Sequence, residues 1–191
     1  MVSQISPVIE QFLSDEQFGF RKSRSTIIAA VGLIRDIQEG LQKERGKIYV
    51  VFLDYVKAFD TVNQKILMAK LQRLSNTWTH RLISNILAEN HLQISNNIDR
   101  SEWISQENGV LQGDPLSPIL FNILTCDVVE TIRKEVEDIS MYIYTAMACR
   151  SRTQLQRAID MLVEWADVNE LEINLEKTEL TGLQKRGKTS S

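Results

Sequence analysis

The residue most able to do chemistry in this chain is Asp54, which ends the apolar run of residues 49–54, YVVFLD. A carboxylate at the end of a buried strand is held rigidly, as a ligand of a catalytic metal ion must be. A second apolar stretch, ISMYIY at residues 139–144, is placed to present a further pair of carboxylates. The residues that follow it carry no charge, so the chain has half of a carboxylate metal site: Thr145, Ala146 and Met147.

The elements that must position these residues follow from hydrophobic periodicity. Ser25 or Thr26 caps a helix that runs toward Gly46, and residues 49–53 form a strand buried on both faces. Helices interleaved with short strands predict an α+β fold, a layered sheet covered by helices. The other predicted elements are helices over 66–74 and 79–88, a hairpin of 92–98 and 103–110, one helix over 118–134, a strand over 141–144, a helix over 155–166 capped by Ser151 or Thr153, and an extended segment over 171–180.

Composition predicts one globular domain, because 191 residues with 43% hydrophobic and 25% charged content suffice for one core. The net charge of −3 does not favour a polyanion partner, although basic residues cluster in the segment RKSR at 21–24. Cys126 and Cys149 have no metal-binding spacing, which favours a reducing, intracellular compartment, nuclear or cytoplasmic. No apolar run approaches the roughly 20 residues that span a bilayer, so we expect no membrane association.

Four segments, in this order, closely resemble the reverse transcriptase domain of non-LTR, LINE-type retrotransposons. They are EQFGFRKSRST at 16–26, FLDYVKAFDTVN at 52–63, GVLQGDPLSPILFN at 109–122, and the MYIY strand with LEINLEKTEL behind it. The resemblance implies RNA-directed DNA polymerase ancestry and a palm-like antiparallel sheet covered by helices, with part of the fingers and no thumb. It predicts this organisation: an N-terminal lead-in at 1–14, a partial fingers-like segment at 15–46, a palm-like domain at 47–184 and a disordered tail at 185–191.

The same resemblance implies roles for individual residues. The family transfers nucleotides with two divalent ions, normally Mg²⁺, held by carboxylates about 3.5 to 4 Å apart. Asp54 matches the first metal-ligating aspartate, and the backbone carbonyl of Tyr55 is a second possible oxygen ligand. Lys177 matches the lysine that protonates the departing pyrophosphate, a general-acid role. The positions that match nucleotide or template contacts are Arg21, Lys22, Phe59, Gln112 and Gly113.

Each of these residues also has a purely structural explanation. Asp54 would be a strand-end cap, Phe59 a core aromatic and Lys177 a surface charge. The basic segment at 21–24 would be an exposed loop. The glycines and prolines of residues 109–118 would form a turn before a buried helix, which leaves Gln112 between them unexplained.

The third segment departs from its family, which carries Tyr-Ala-Asp-Asp where this chain has Tyr144, Thr145, Ala146 and Met147. Two dications facing a single aspartate repel each other, so a two-metal site should not assemble. Other carboxylates do not lie on that turn: Asp60, Asp114 and Asp138. We therefore predict a reverse-transcriptase-like palm domain, derived from a non-LTR retrotransposon, that is inactive for RNA-directed DNA synthesis and binds Mg²⁺ weakly or not at all.

Two alternatives stay open at this point. One is a residual RNA-directed DNA polymerase acting on an RNA or DNA template-primer. The other is a non-catalytic module that binds nucleic acid through its basic clusters, or a protein partner through exposed palm edges.

Overall fold

This computed structural model describes residues 2–43, 46–88, 90–96, 99–106, 108–142 and 146–185. Backbone contacts divide the chain into two compact units. The first unit consists of Met1–Leu13 and Lys57–Thr125, and the second consists of Ser14–Val56 and Cys126–Ser191. The division falls after residues 13, 56 and 125, and the predicted segment boundaries at 14, 46 and 184 stay predictions.

The second unit is built on a four-stranded antiparallel sheet with the strand order β4-β5-β1-β6. Its strands are β1 (Lys47–Phe52), β4 (Ser140–Tyr142), β5 (Ala146–Cys149) and β6 (Glu179–Gln184). Three helices accompany the sheet: α2 (Thr26–Gln42), α6 (Val128–Arg133) and α7 (Arg152–Val168). The predicted α+β fold, an antiparallel sheet covered by helices, is confirmed.

Strand β1 lies inside the sheet because its residues are apolar on both faces. Ile48 and Val50 point to one face, where they pack with Ala29 of α2 and with alanines of β5. Val51 points to the other face and is 1% exposed. The sequence prediction of a central strand buried on both sides is therefore correct.

Side-chain caps fix the starts of the two long helices in this unit. The Ser25 hydroxyl accepts a hydrogen bond from the backbone N–H of Ile28 at 3.3 Å, and the Ser151 hydroxyl accepts one from Gln154 at 3.3 Å. Each satisfies a first-turn N–H group that has no partner within the helix. Of the alternative caps that the sequence offered, the structure selects Ser25 and Ser151.

The first unit is mainly helical. Helix α3 contacts α4 and α5, and α1 contacts α5. Leu67, Leu71 and Ile83 are each 0% exposed, so the apolar faces of α3 and α4 are fully buried. The elements are α1 (Val2–Glu10), α3 (Gln64–Leu74), α4 (Thr77–Ala88), α5 (Ser117–Leu124), β2 (His91–Leu92) and β3 (Ile104–Ser105).

The single helix predicted over residues 118–134 is wrong, because α5 ends at Leu124 and α6 begins at Val128. The Thr125 hydroxyl donates to the carbonyl of Phe121 at 3.0 Å, a local bond that competes with helical geometry.

The predicted extended segment over 171–180 is also wrong in its middle, because residues 175–177 form a turn before β6. The predicted hairpin exists, but its paired strands have only two residues each. Met141 and Tyr142 lie in β4 as predicted, and Tyr144 lies outside the described residues. In the predicted tail, the N–H of Lys185 donates to the carbonyl of Gly46 at 3.1 Å and 186–191 lie outside the described residues, so the tail stays a prediction.

Within the part of the chain that the structure describes, no helix combines the length and the apolar character needed to cross a bilayer.

Burial in α7 predicts a sharp difference between two leucines. Leu155 is 1% exposed, whereas Leu175 in the turn before β6 is 80% exposed. We expect Leu155→Ala to lower the free energy of unfolding by about 2–5 kcal/mol, because it leaves a cavity in the core. The matched change Leu175→Ala should shift it by no more than about 0.5 kcal/mol. Urea unfolding followed by circular dichroism measures both, and equal effects would contradict the packing described here.

Candidate functional site

Asp54 lies two residues beyond the end of β1, beside the segment that leads to β6. Its backbone carbonyl accepts a hydrogen bond from the N–H of Asn174 at 2.8 Å, and the N–H of Val56 donates to Glu172 at 2.8 Å. Tyr55 forms an isolated antiparallel bridge with Ile173 between these two bonds. The backbone at Asp54 is thus fixed by pairing that continues past the strand.

The turn after this pairing brings Lys177 toward Asp54. The side-chain oxygen of Asn174 accepts from the backbone N–H groups of Glu176 at 3.1 Å and Lys177 at 3.2 Å. The hydroxyl of Thr178 donates to the carbonyl of Asn174 at 2.8 Å. This is an asparagine turn, in which the side chain imitates a backbone acceptor. The sequence analysis missed Asn174, although an asparagine three residues before Lys177 was the available signal.

Asp54 and Lys177, predicted separately as site residues, form an ion pair. The Lys177 Nζ lies 3.3 Å from Asp54 Oδ2, and the two side chains are 70% and 45% exposed. A pair this open to water contributes little to stability. Its chemical consequence is larger, because an ammonium group now neutralises the carboxylate that the resemblance assigns to a metal ion.

Tyr55 supports the site through its backbone and its packing. Burial raises the pKa of its phenol above the usual range, so the hydroxyl, which is neutral at physiological pH in any case, stays protonated at alkaline pH as well. Tyr55 therefore contributes no negative charge beside Asp54. Its carbonyl, the predicted second oxygen ligand, belongs to the backbone that pairs with residues 172–174.

The two residues at the positions of the expected carboxylates, Ala146 and Met147, lie in strand β5, and Thr145 before them lies outside the described residues. Ala146 is paired with Phe52 and is 2% exposed, and Met147 is paired with Val51 and is 4% exposed. Ala146 packs in the core beneath α2, and Met147 lines a small apolar cavity with side chains of α6 and α7. Both positions are apolar and closed to solvent.

The residues present do not fit a two-ion Mg²⁺ site. Across the described ranges, no three His, Cys, Asp or Glu side chains are grouped in a way that could hold a metal ion. The other candidate carboxylates have local partners. Asp60 accepts from Gln112 Nε2 at 2.8 Å, Asp114 accepts from the N–H of Leu116 at 2.7 Å, and Asp138 pairs with Arg150 at 3.4 Å.

The basic segment of the second unit is held mainly by its own loop. The Arg21 guanidinium donates to the carbonyl of Ser14 and, at 3.0 Å, to that of Gln17. Arg24 forms an ion pair with Asp15 and lies over the ring of Phe18, 5.5 Å from its centre. Lys22 is exposed. In this arrangement Arg21 and Arg24 serve the structure of the loop, and the predicted nucleotide or template contacts of Arg21 and Lys22 stay predictions.

The remaining predicted contact residues lie in the first unit. Gly109 and Gly113 have φ angles of +81° and +89°, which residues other than glycine rarely adopt. A Cβ on Gly109 would also lie 2.7 Å from the carbonyl oxygen of Asp60. Gln112 donates to Asp60, which explains a residue that a simple turn left unexplained. The ring of Phe59 packs against Phe121, with centres 5.2 Å apart. Contacts of Phe59, Gln112 and Gly113 with a nucleotide stay predictions.

Comparison with solved structures shows that the chain has a polymerase fold of the telomerase type. Candida tropicalis telomerase, solved in complex with a TWJ fragment of telomeric RNA, superposes with a TM-score of 0.73 at 16% identity, over 100% of this chain and 34% of that one. The apo form from the same organism, truncated from its C-terminal domain, gives a TM-score of 0.74 at 17% identity, over 99% and 41%. At this identity the likeness concerns the fold.

The family itself is shown by sequence. The model of the family "Reverse transcriptase (RNA-dependent DNA polymerase)" matches residues 1–188. The chain is 30% identical over 175 residues to the RNA-directed DNA polymerase from mobile element jockey of Drosophila melanogaster, covering 84% of the chain and 19% of that protein. It is 25% identical over 181 residues to the probable RNA-directed DNA polymerase from transposon BS of the same fly, covering 88% and 20%.

A third relative is the Pol polyprotein from the type-1 retrotransposable element R2 of Popillia japonica, 34% identical over 103 residues, covering 53% of the chain and 17% of that protein. The chain therefore belongs to the reverse transcriptase family, and its relatives are the reverse transcriptases of LINE-type non-LTR retrotransposons. It spans about a fifth of their length.

The exposure of the Asp54–Lys177 pair predicts a small energetic coupling. In a double-mutant cycle of Asp54→Asn and Lys177→Gln, we expect a coupling free energy below about 1 kcal/mol, because water screens both groups. Urea unfolding of the four proteins measures it, and 1 M NaCl should reduce it further. A coupling above about 2 kcal/mol that ignores salt would show that the pair is buried.

The burial of Ala146 predicts that a carboxylate is poorly tolerated there. We expect Ala146→Asp to lower the free energy of unfolding by at least about 2 kcal/mol, because the charge loses its hydration in an apolar core. Ala30→Asp, at an exposed position of α2, is the matched control and should cost less than about 1 kcal/mol. Urea unfolding again provides the comparison. Equal stability of the two variants would place Ala146 at the surface.

Proposed function

We propose that this reverse transcriptase family domain does not catalyse RNA-directed DNA synthesis. The proposal rests on two residues of β5, Ala146 and Met147, which are apolar and buried. By resemblance, these positions match the paired aspartates of the family. The domain thus keeps the framework of a polymerase palm without the carboxylates that hold the catalytic ions.

Electrostatics supports the proposal. Two divalent ions about 3.5 to 4 Å apart repel each other strongly, and an active site offsets the repulsion with several anionic oxygens. Beside Asp54 the structure places a cation, since Lys177 Nζ is 3.3 Å from its carboxylate. A dication approaching Asp54 meets this ammonium group and finds no carboxylate at position 146 or 147, so we expect weak Mg²⁺ binding or none.

The pairing with Asp54 also bears on Lys177. In the resemblance, this lysine is the general acid that protonates the leaving group. Here its ammonium group lies beside the Asp54 carboxylate, in a pair that is open to water. We propose that Lys177 serves as a surface counter-charge to Asp54. It therefore acts as the surface charge of the structural explanation, at the position that the resemblance assigns to the general acid.

A primer-extension experiment tests the proposal. The domain is incubated with a DNA primer on an RNA template, deoxynucleotides and either Mg²⁺ or Mn²⁺, with an active reverse transcriptase as the positive control. We expect no extension above background, and the same background for Asp54→Ala, because the site lacks the anionic charge to hold two ions. Extension that Asp54→Ala abolishes would establish residual polymerase activity and overturn the proposal.

Nucleic-acid binding is measured separately on the same template-primer, since loss of chemistry does not require loss of binding. Binding through phosphate contacts weakens as salt rises, and it should weaken further in Lys22→Ala, whose side chain is exposed. That result would favour the non-catalytic binding module. An affinity that changes neither with salt nor with Lys22→Ala would contradict binding of nucleic acid through phosphate contacts.

A further inference from the structure

Strand β6 is an edge strand of the second unit whose outer edge has no strand partner in the sheet as described. Its six residues run in unbroken antiparallel register with β1, and five of them are exposed. Edge strands commonly avoid pairing with other chains by carrying proline, a bulge or a central charge. The segment ELTGLQ has none of these between its ends.

The hydrogen-bond pattern shows which backbone groups face outward. The N–H of Lys185 donates to Gly46, on the side of β1. Because antiparallel strands exchange hydrogen bonds at every second residue, Glu179, Thr181 and Leu183 also face β1. The residues between them present their N–H and C=O groups to the outer edge: Leu180, Gly182 and Gln184.

We propose that β6 pairs with β6 of a second copy of this chain, antiparallel, with Gly182 opposite Gly182. This register satisfies the outward groups, because Leu180 then pairs with Gln184 of the other copy and the parity of the hydrogen bonds is kept. It also follows two-fold symmetry, in which one patch meets itself.

The charges at the two ends of the strand select this partner and this register. With Gly182 on the axis, Glu179 of each copy lies opposite Lys185 of the other, at a position where cross-strand side chains are closest. Both residues are exposed. A shift of two residues, the smallest that keeps the hydrogen-bond parity, separates the charges. A parallel arrangement brings the two Glu179 side chains toward each other.

The small area that two β6 strands can bury limits the affinity of the dimer. A pair of six-residue strands is smaller than the interfaces of stable complexes, which bury roughly 1,200 Å² or more. Leu180, 51% exposed, adds apolar contact beyond the backbone bonds. We therefore expect a weak dimer that forms as the protein concentration rises.

Charge reversal at the strand ends tests the proposal by sedimentation velocity over a concentration series. Glu179→Lys and Lys185→Glu should each weaken dimerisation at least about tenfold, because each places two like-charged pairs in the interface. The double variant E179K/K185E restores both pairs and should dimerise like the original chain. Since both side chains are exposed, the variants are expected to remain folded, which circular dichroism checks.

Hydrogen exchange gives a second, residue-specific readout. As the concentration rises, the amides of Leu180, Gly182 and Gln184 should gain protection, whereas those of Thr181 and Leu183 are already protected by β1. A monomer at all concentrations would overturn the proposal. So would a dimer that persists in both single variants, which would point to another surface, such as the exposed apolar side chains of α2, Ile27, Val31 and Ile34.

Discussion

Strand β1 must have hydrogen-bonded neighbours along both edges. This requirement fixes the positions of the strands beside it in the second unit. The strand is apolar on both faces, so every N–H and C=O group that it buries needs a partner. Strand β5 supplies partners on one edge and β6 on the other. Because the register with β6 is fixed along all six residues, the segment before β6 is delivered beside Asp54.

The apolar residues of β5 contribute directly to the stability of the sheet. In β5, Ala146 and Met147 pack into the two faces of the sheet and add to its apolar core. Residues that bury apolar surface stabilise a sheet, whereas paired carboxylates require ions or water nearby. The sheet is therefore stabilised without carboxylates at positions 146 and 147, and Asp54 has a partner of opposite charge in Lys177.

Sequence reasoning succeeded where the signal was local and failed where it was not. The polar residues before an apolar helical repeat limited the cap to Ser25 or Thr26, because capping involves residues three apart, and the structure has Ser25. The helix predicted across Thr125 was wrong, because α5 ends at Leu124 and α6 begins at Val128, although the apolar pattern continues through both helices. Arg21 and Gln112 looked suited to a ligand, and the structure gives their polar groups partners within the protein: the carbonyls of Ser14 and Gln17 for Arg21, and Asp60 for Gln112.

The sequence by itself determined the family, the strand that ends near Asp54 and the absence of acidic residues at positions 145–147, because motifs, hydrophobic period and residue identity are written along the chain. Only the tertiary structure decided that Lys177 meets Asp54 and that Ala146 is buried. Both facts depend on pairing between segments about a hundred residues apart. Such contacts are set by strand register, which no local pattern specifies, whereas the Asn174 turn that presents Lys177 is local.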